Sequence, residues 1–182
     1  MQKQGGLKKK PSGLKTNVSV KATIAKKPKA RIPLEKKTAS QLVKVADEAF
    51  SKYIRLRDSE KQPNGSFVGK CIDCSKVKTV YAEGRWLKGT DNGHYVSRGV
   101  MLLRYDEMNC NLQDSHCNAW RDKGDVDRDY TKAVDKKYGK GVAAELKALA
   151  KQQGSHKIPP KEELLDIIYT CRAYIKKTLG EE

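Results

Sequence analysis

The fold depends on the stretch Cys71-Ile72-Asp73-Cys74 and on its downstream counterpart, Asp114-Ser115-His116-Cys117-Asn118. Two cysteines separated by two residues can bring both sulfurs to about 2.3 Å from one zinc ion. A second pair of ligands roughly forty residues further along would complete a tetrahedral site. The spacing therefore predicts a small unit stabilised by zinc, with one pair of ligands at each end. The predicted ligands are Cys71, Cys74, Asp114 and Cys117.

The fourth zinc ligand is the least determined member of this set. Asp114 stands where a second Cys-x-x-Cys pair would place its first cysteine, and a carboxylate oxygen can bind zinc. His116 and Cys110 lie close enough in sequence to compete with it. Two further alternatives are a site with three protein ligands and a site that has lost zinc. We favour Asp114, with His116 next.

The segment between the two pairs contains His94, which we predict to be a general base. Hydrolysis of a phosphodiester requires water to be deprotonated, and a neutral imidazole with a pKa of about 7 can accept that proton. The charge that develops on the phosphate requires Mg²⁺ or Mn²⁺ held by oxygen ligands. Asn118 can offer such an oxygen, while Asp91 can orient the imidazole or bind the ion. Asn109 completes the predicted catalytic set and can also fix the intervening loop through hydrogen bonds to the backbone.

The charge of the chain predicts a polyanionic partner. The net charge of the 182 residues is +16, and residues 1–37 carry 12 basic residues against one acidic residue. Neutralising phosphates releases condensed counterions, so a segment of this kind favours binding to nucleic acid. The alternative is a solvated leader that only aids solubility. Within the central unit, the residues predicted to clamp phosphates are Arg98, Arg104 and Arg121.

The sequence indicates neither membrane insertion nor secretion. No stretch approaches about 18 consecutive apolar residues, and the basic N-terminus lacks the apolar region of a secretory signal. The five cysteines include one closely spaced pair, and an odd number of this kind favours metal binding in a reducing compartment over disulfides. We therefore expect a cytoplasmic protein.

The chain divides into three predicted parts. Residues 1–37 mix Lys, Gly, Pro and Ser without periodicity and are expected to be disordered. Residues 38–152 should form the main domain, which contains the zinc unit between helices. Residues 153–182 should form a C-terminal helix beginning near Pro160, and its apolar face can pack on the core or on a second subunit.

Elements within the main domain follow from hydrophobic periodicity and from glycine and proline. Apolar residues recur at helical spacing from Ser40 to Arg57, and Thr38 or Ser40 can cap this helix. A turn should follow at residues 62–65. The strand candidates are residues 76–81, 94–97 and 102–105. Helices are expected from about Cys117, over residues 127–137 and over residues 141–152, with a break at Gly139.

With these residues in place, the chain resembles the NinG (Rap) family of phage recombination endonucleases, a branch of the HNH superfamily. The resemblance covers about residues 40–150. It rests on a helix through Phe50–Asp58 and on the first cysteine pair. It rests further on Asp91-Asn92-Gly93-His94-Tyr95, on Leu103-Arg104-Tyr105-Asp106-Glu107-Met108-Asn109, and on Cys117-Asn118.

The resemblance implies an α+β fold with a small zinc-stabilised ββα-metal unit of the HNH type, flanked by α-helices. It places His94 at the first HNH position, Asn109 at the middle position and Asn118 at the third, metal-binding position. Family members typically carry a cysteine where this chain has Asp114, so the zinc site is altered. The implied activity is a metal-dependent DNA endonuclease that cleaves branched intermediates of phage recombination, such as Holliday junctions and displacement loops, in the host cytoplasm.

Two other functions compete with this one. A non-catalytic zinc-knuckle protein could bind DNA or RNA, but such a protein does not need the set of His94, Asn109 and Asn118. An HNH enzyme of another kind, such as a nicking or restriction nuclease, would need an element that reads sequence, and none is apparent. The C-terminal helix could also support a homodimer, whose two active sites would suit symmetric cutting of a junction.

Overall fold

The computed structural model describes residues 32–120 and 126–181, without the side chains of residues 120 and 126–128. Its five α-helices are α1 (Ala39–Arg57), α2 (Ser115–Trp120), α3 (Val126–Tyr138), α4 (Val142–Leu149) and α5 (Lys161–Leu179). Its six strands are β1 (Ser59–Lys61), β2 (Phe67–Lys70), β3 (Val77–Ala82), β4 (Arg85–Trp86), β5 (Thr90–His94) and β6 (Cys110–Asp114). The described part of the chain is thus of mixed α and β structure, and it contains no helix long and apolar enough to span a bilayer.

Helix α1 begins with a capping box at Thr38, one of the two caps that the sequence predicts. The Thr38 hydroxyl accepts the Gln41 N–H at 3.3 Å, and the Gln41 side chain accepts the Thr38 N–H at 3.0 Å. Two orphan donors of the first turn are thereby satisfied. The apolar face of α1 buries Leu42 and Ala46 against Leu164 and Ile168 of α5. The C-terminal helix therefore packs on the core of this chain.

The first four strands form one antiparallel sheet in the order β1-β2-β3-β4. The predicted turn at residues 62–65 connects β1 to β2, and the Gly65 N–H donates to the Gln62 carbonyl at 2.9 Å. The strand predicted at residues 76–81 is confirmed as β3. The first cysteine pair lies in the connection between β2 and β3, so this sheet carries one half of the predicted zinc site.

Strands β5 and β6 pair separately, and α2 follows β6 directly to give a strand–strand–helix unit. The antiparallel register places Thr90 opposite Asp114 and His94 opposite Cys110. His94 is therefore the last residue of β5, whereas the sequence predicted a strand over residues 94–97. All five residues of β6 are buried although most of them are polar.

The strand predicted at residues 102–105 is wrong. This segment contains a 3₁₀ turn at Met101–Leu103, in which the Leu103 N–H donates to the Val100 carbonyl at 3.1 Å. Leu103 is 2% exposed and Leu102 is 51% exposed, so the turn buries Leu103 and leaves Leu102 at the surface. Val100 and Leu103 pack with Tyr130, Val134 and residues of α4, and this second core holds α3 and α4 beneath the loop that follows β5.

The predicted tail falls almost entirely outside the described residues. Its last part, residues 32–37, contains a 3₁₀ turn at Leu34–Lys36, and Leu34 packs on the cluster between α1 and α5. These six residues are therefore part of the folded unit.

Candidate active site and metal centre

Three cysteine sulfurs gather where the β2–β3 connection meets α2. The Sγ atoms of Cys71, Cys74 and Cys117 all lie within 4.8 Å of one another. Two sulfurs bound to one tetrahedral zinc at about 2.3 Å are about 3.8 Å apart, so the cluster has the dimensions of a zinc site. The Asp114 backbone N–H donates to Cys71 Sγ at 3.2 Å.

The three cysteines of this cluster do not ionise equally easily, because negative charge on one sulfur disfavours ionisation of the others. Burial raises the pKa of Cys74, but hydrogen bonds from Lys76 and from the other two thiols outweigh it, so the net shift is downward. Burial and the neighbouring Cys74 raise the pKa of Cys117 to about 12, and burial also raises the pKa of Cys71. One thiolate beside two thiols is therefore favoured until a cation compensates further negative charge. This donor set suits zinc.

Asp114, the predicted fourth ligand, does not join the sulfur cluster. The ligand atoms within 4.8 Å of one another belong to the three cysteines alone among the described residues. The Asp114 carboxylate instead pairs with Lys78 at 3.0 Å and accepts the His116 N–H at 2.9 Å. Both contacts, the His116 N–H first, lower the pKa of Asp114. Asp114 immediately precedes α2, and capping a helix N-terminus is a favoured role for aspartate.

The two competing ligands also lie apart from the three sulfurs. His116 is on the exposed side of α2. Cys110 is fully buried in another cluster with Ala49, Phe50 and Ile54 of α1, and burial raises its pKa above the usual range. The structure thus groups three of the four predicted zinc ligands.

A cavity of about 330 Å³ lies between α1, β5, the loop that follows β5, and α2. The predicted site residues that line it are Asp91, His94, Arg98, Arg104 and Asn118. Cys117, a member of the sulfur cluster, and Asn118, which lines the cavity, are consecutive on α2. The position of the helix that supports Asn118 is therefore tied to the sulfur cluster.

His94 is held as a neutral ring at the end of β5. Its Nε2 atom lies 3.1 Å from the Arg104 carbonyl, which can only accept, so Nε2 carries the proton in this contact and Nδ1 keeps its lone pair. Burial lowers the pKa of His94 to about 4, although the carbonyls of Arg104 and Asn92 oppose this shift. The ring is therefore unprotonated at neutral pH, and its pKa lies below the value near 7 that best suits a general base.

Asp91 and Asn118 form a second polar pair in the cavity. The Asn118 side-chain N–H donates to Asp91 Oδ2 at 3.1 Å across the gap between β5 and α2. Because the amide nitrogen of Asn118 is engaged in this bond, its carbonyl oxygen is the end left to accept or to bind a cation. Of the two roles predicted for Asp91, this contact favours ion binding over orientation of the imidazole.

Asn109, predicted as a catalytic residue, does not line the cavity. It is fully buried, its Oδ1 accepts the Val96 N–H at 2.6 Å, and its Nδ2 donates to the carbonyls of Val96 and Leu103 at 3.1 and 2.8 Å. Its own carbonyl accepts the Tyr95 N–H at 2.7 Å. The side chain therefore fixes the loop behind His94, which is the second of the two roles predicted for it.

The three predicted phosphate-binding arginines differ in their surroundings. Arg98 is exposed at the edge of the cavity, and its guanidinium pairs with no acid in the described part of the chain. Arg104 is 13% exposed and makes two hydrogen bonds to the Asp47 carboxylate, at 2.7 and 2.6 Å. A third bond, to the Arg98 carbonyl at 2.6 Å, shows that Arg104 braces the loop rather than facing solvent. Arg121 lies outside the described residues.

Asp47 and Asn92 are among the polar residues of the cavity that were absent from the predicted site. Asp47 comes from α1, far away in sequence, and only the tertiary fold brings it to Arg104. Asn92 lies between Asp91 and Gly93, so its position inside the predicted motif was the available indication. Gly93 is required here because a Cβ would overlap the side chain of Gln113 on β6.

Comparison with known proteins identifies the family of the chain. The model of the family described as Bacteriophage Lambda NinG protein matches residues 2–181, so the chain belongs to this family. No curated protein and no solved structure matches it.

Proposed function

We propose that this member of the NinG family is a metal-dependent DNA endonuclease of the HNH type that cleaves branched recombination intermediates. The observation that carries the proposal is the cavity that joins His94 at the end of β5, Asp91 on the same strand and Asn118 on α2. A strand–strand–helix unit with a histidine on the first strand and an oxygen ligand on the helix matches the implied ββα-metal arrangement. Membership of a phage protein family agrees with the proposed role.

The residues of the cavity are suited to a hard divalent cation. Asp91 offers a carboxylate oxygen and Asn118 an amide oxygen, and oxygen donors are those that Mg²⁺ and Mn²⁺ prefer. These two residues already contact one another across the cavity at 3.1 Å, so little rearrangement is needed for both to reach one ion. When bound, the ion would supply charge stabilisation at the scissile phosphate and the leaving oxygen.

His94 is the proposed general base. Its Nε2–H is held by the Arg104 carbonyl, which fixes the tautomer and leaves Nδ1 as the atom that accepts the proton of the attacking water. Asn109 supports this geometry because its side chain hydrogen-bonds the backbone of Val96 and of Leu103, in the loop that follows His94. A positioned base of this kind contributes a factor of about 10² to 10⁴ to the rate.

Arg98 is the proposed phosphate contact at the edge of the cavity. Its exposed guanidinium can approach a phosphate, whereas the guanidinium of Arg104 is already occupied by Asp47. Arg104 in turn holds the Arg98 carbonyl, so the Asp47–Arg104 pair keeps the loop that presents Arg98 in place. The basic residues of the tail would add affinity that does not depend on sequence.

The proposed role of zinc is structural. Zinc bound to Cys71, Cys74 and Cys117 would connect the β2–β3 connection to α2, and structural zinc contributes folding free energy directly. The fourth ligand stays a prediction, because Asp114 would have to separate from Lys78 before it could bind.

The direct test is cleavage of matched four-way junction, linear duplex and single-stranded DNA, with Mg²⁺ or Mn²⁺ and with EDTA. We expect cleavage that depends on the cation and is fastest on the junction. His94→Ala should reduce the rate by about 10² to 10⁴ with little change in DNA affinity. His156→Ala is a matched control, since His156 is exposed and bonds the Gly99 carbonyl outside the cavity.

The outcomes separate the competing functions. Equal rates for wild type and His94→Ala would refute the assignment of the base. Binding of DNA without cleavage under any cation would favour the non-catalytic zinc-knuckle module. Equal cleavage of all three DNA forms would retain the nuclease but remove the preference for branched DNA.

A further inference from the structure

Asn92 has the one side-chain oxygen in the cavity wall that is buried without a hydrogen-bond partner among the described residues. The residue is on β5, opposite Leu112, between Asp91 and Gly93. The Asn92 side chain lowers the pKa of the Cys110 thiol against the larger, opposite effect of burial. The Asn92 Oδ1 atom has no hydrogen-bond partner in the described part of the chain.

Two other buried asparagines of this hairpin show what a structural amide does here. Asn109 engages both ends of its amide with the loop backbone. Asn111 accepts from Lys137 and Tyr138, each at 2.8 Å, and donates to the Met108 carbonyl at 3.3 Å. Of these three asparagines, Asn92 alone leaves its oxygen unsatisfied, and an unsatisfied buried acceptor destabilises the fold. Such an atom in a native fold calls for a water or an ion.

We propose that the Asn92 side-chain oxygen is a further ligand of the divalent cation held by Asp91 and Asn118. This inference rests on the proposed function, because it assigns a third protein oxygen to the same cation. All three residues line one cavity. A neutral amide oxygen beside one carboxylate is a donor set typical of a magnesium or manganese site rather than a zinc site.

The test is Mn²⁺ binding by the full chain without DNA, followed by the decrease in the electron paramagnetic resonance signal of free Mn²⁺. The protein is first saturated with zinc so that the cysteine cluster is filled. Asn92→Leu removes the oxygen at similar volume and should weaken Mn²⁺ binding about tenfold or more, by analogy with the 10–100-fold losses for outer-shell partners of a metal site. Asn92→Asp adds a charged oxygen at the same place and should strengthen binding about as much.

The matched control is Asn64→Asp, which adds the same charge on the exposed turn between β1 and β2. It should leave Mn²⁺ affinity within about twofold of wild type, since Asn64 does not line the cavity and solvent and salt screen an exposed charge. Circular dichroism and thermal unfolding verify the fold of each variant. Should Asn92→Leu fail to fold, the gain of affinity in Asn92→Asp over Asn64→Asp decides the question.

The result distinguishes the inference from the proposed function. If Asp91→Asn abolishes Mn²⁺ binding while both Asn92 variants bind as wild type, the cation site stands and Asn92 is not a ligand; a water then satisfies its oxygen. If wild type binds no Mn²⁺ and cuts no DNA, the proposed metal-dependent function itself fails. Opposite shifts of affinity in Asn92→Leu and Asn92→Asp support the inference.

Discussion

Replacing Asn109 by alanine tests whether its side chain fixes the loop that follows β5. The side chain is fully buried and makes three hydrogen bonds to backbone groups of Val96 and Leu103. Alanine leaves one N–H and two carbonyls without these partners, in a region that water cannot enter without opening the loop. The loop that carries Arg98 and ends near Arg104 should loosen as a consequence.

The expected loss of stability follows from these three hydrogen bonds. Each intramolecular hydrogen bond contributes about 1 kcal/mol net, so the three bonds of Asn109 correspond to about 3 kcal/mol of unfolding free energy. For a chain of about this size, 1 kcal/mol shifts the melting temperature by about 2–4 °C, and the expected fall is about 6–12 °C. Asn109→Asp should be worse at neutral pH, since it directs a carboxylate at two carbonyls.

Urea unfolding monitored by circular dichroism measures this loss, with Asn64→Ala as the control. Asn64 also hydrogen-bonds backbone, through the Ser66 N–H at 3.0 Å, but its turn is exposed and water can replace the bond. We expect the control to lose less than about 1 kcal/mol. If Asn109→Ala loses no more unfolding free energy than Asn64→Ala, the structural role is refuted and Asn109 returns to the catalytic set.

Three further predictions concern the metal, the tail and a buried acid. The purified chain should contain about one zinc by elemental analysis. Cys117→Ser should lose both zinc and thermal stability, whereas Cys110→Ala should keep its zinc. Absence of zinc from the wild type would contradict this prediction. Deleting residues 1–31 removes ten basic residues and no acidic one. The slope of log affinity against log salt concentration for duplex DNA should become shallower by about 0.9 for each phosphate that the truncated chain no longer neutralises. An unchanged slope would make the tail a solvated leader. Burial opposes ionisation of Asp58, but Arg57 and Lys137 outweigh burial and hold the pKa of Asp58 below the ordinary value. The stability that the ionised Asp58 contributes is therefore lost as pH falls through that lowered pKa. The stability gap between wild type and Asp58→Asn should therefore narrow below about pH 4, and a gap that stays constant in urea unfolding at pH 7 and pH 3 would contradict the shift.

Local patterns predicted the helices and the closely spaced cysteine pair, because the interactions that form them are local. The apolar spacing of α1 and the Thr38 cap lie within one segment, and the observed helix begins one residue before the predicted start. Cys71 and Cys74 meet because a two-residue spacer alone brings their sulfurs together. Cys117 joins them because its α2 helix begins directly after β6, the strand that pairs with β5.

The features that the sequence did not predict depend on contacts between distant segments. Strand β6 has the sequence Cys-Asn-Leu-Gln-Asp, whose polar residues have low strand propensity, yet pairing with β5 and burial on both sides enforce it. The Asp47–Arg104 pair joins residues 57 positions apart, and no local pattern marks it. Asp114 matched the expected position of a zinc ligand in sequence, but the start of α2 and the nearby Lys78 give its carboxylate other partners.

The metal centre and the cavity are mechanically connected through two routes. Cys117 and Asn118 are neighbours on a helix of only six residues, so any shift of the sulfur cluster must move the oxygen ligand beside it. On the opposite side, Asp73 of the first cysteine pair accepts a hydrogen bond from Gln113, whose side chain lies against Gly93, the residue before His94. Zinc bound by the sulfur cluster would therefore act on both the proposed base and the proposed cation ligands, although none of them is a predicted zinc ligand. Because short elements such as α2 have little intrinsic stability, a zinc-stabilised support is a physically sound way to hold an active site in a domain of this size.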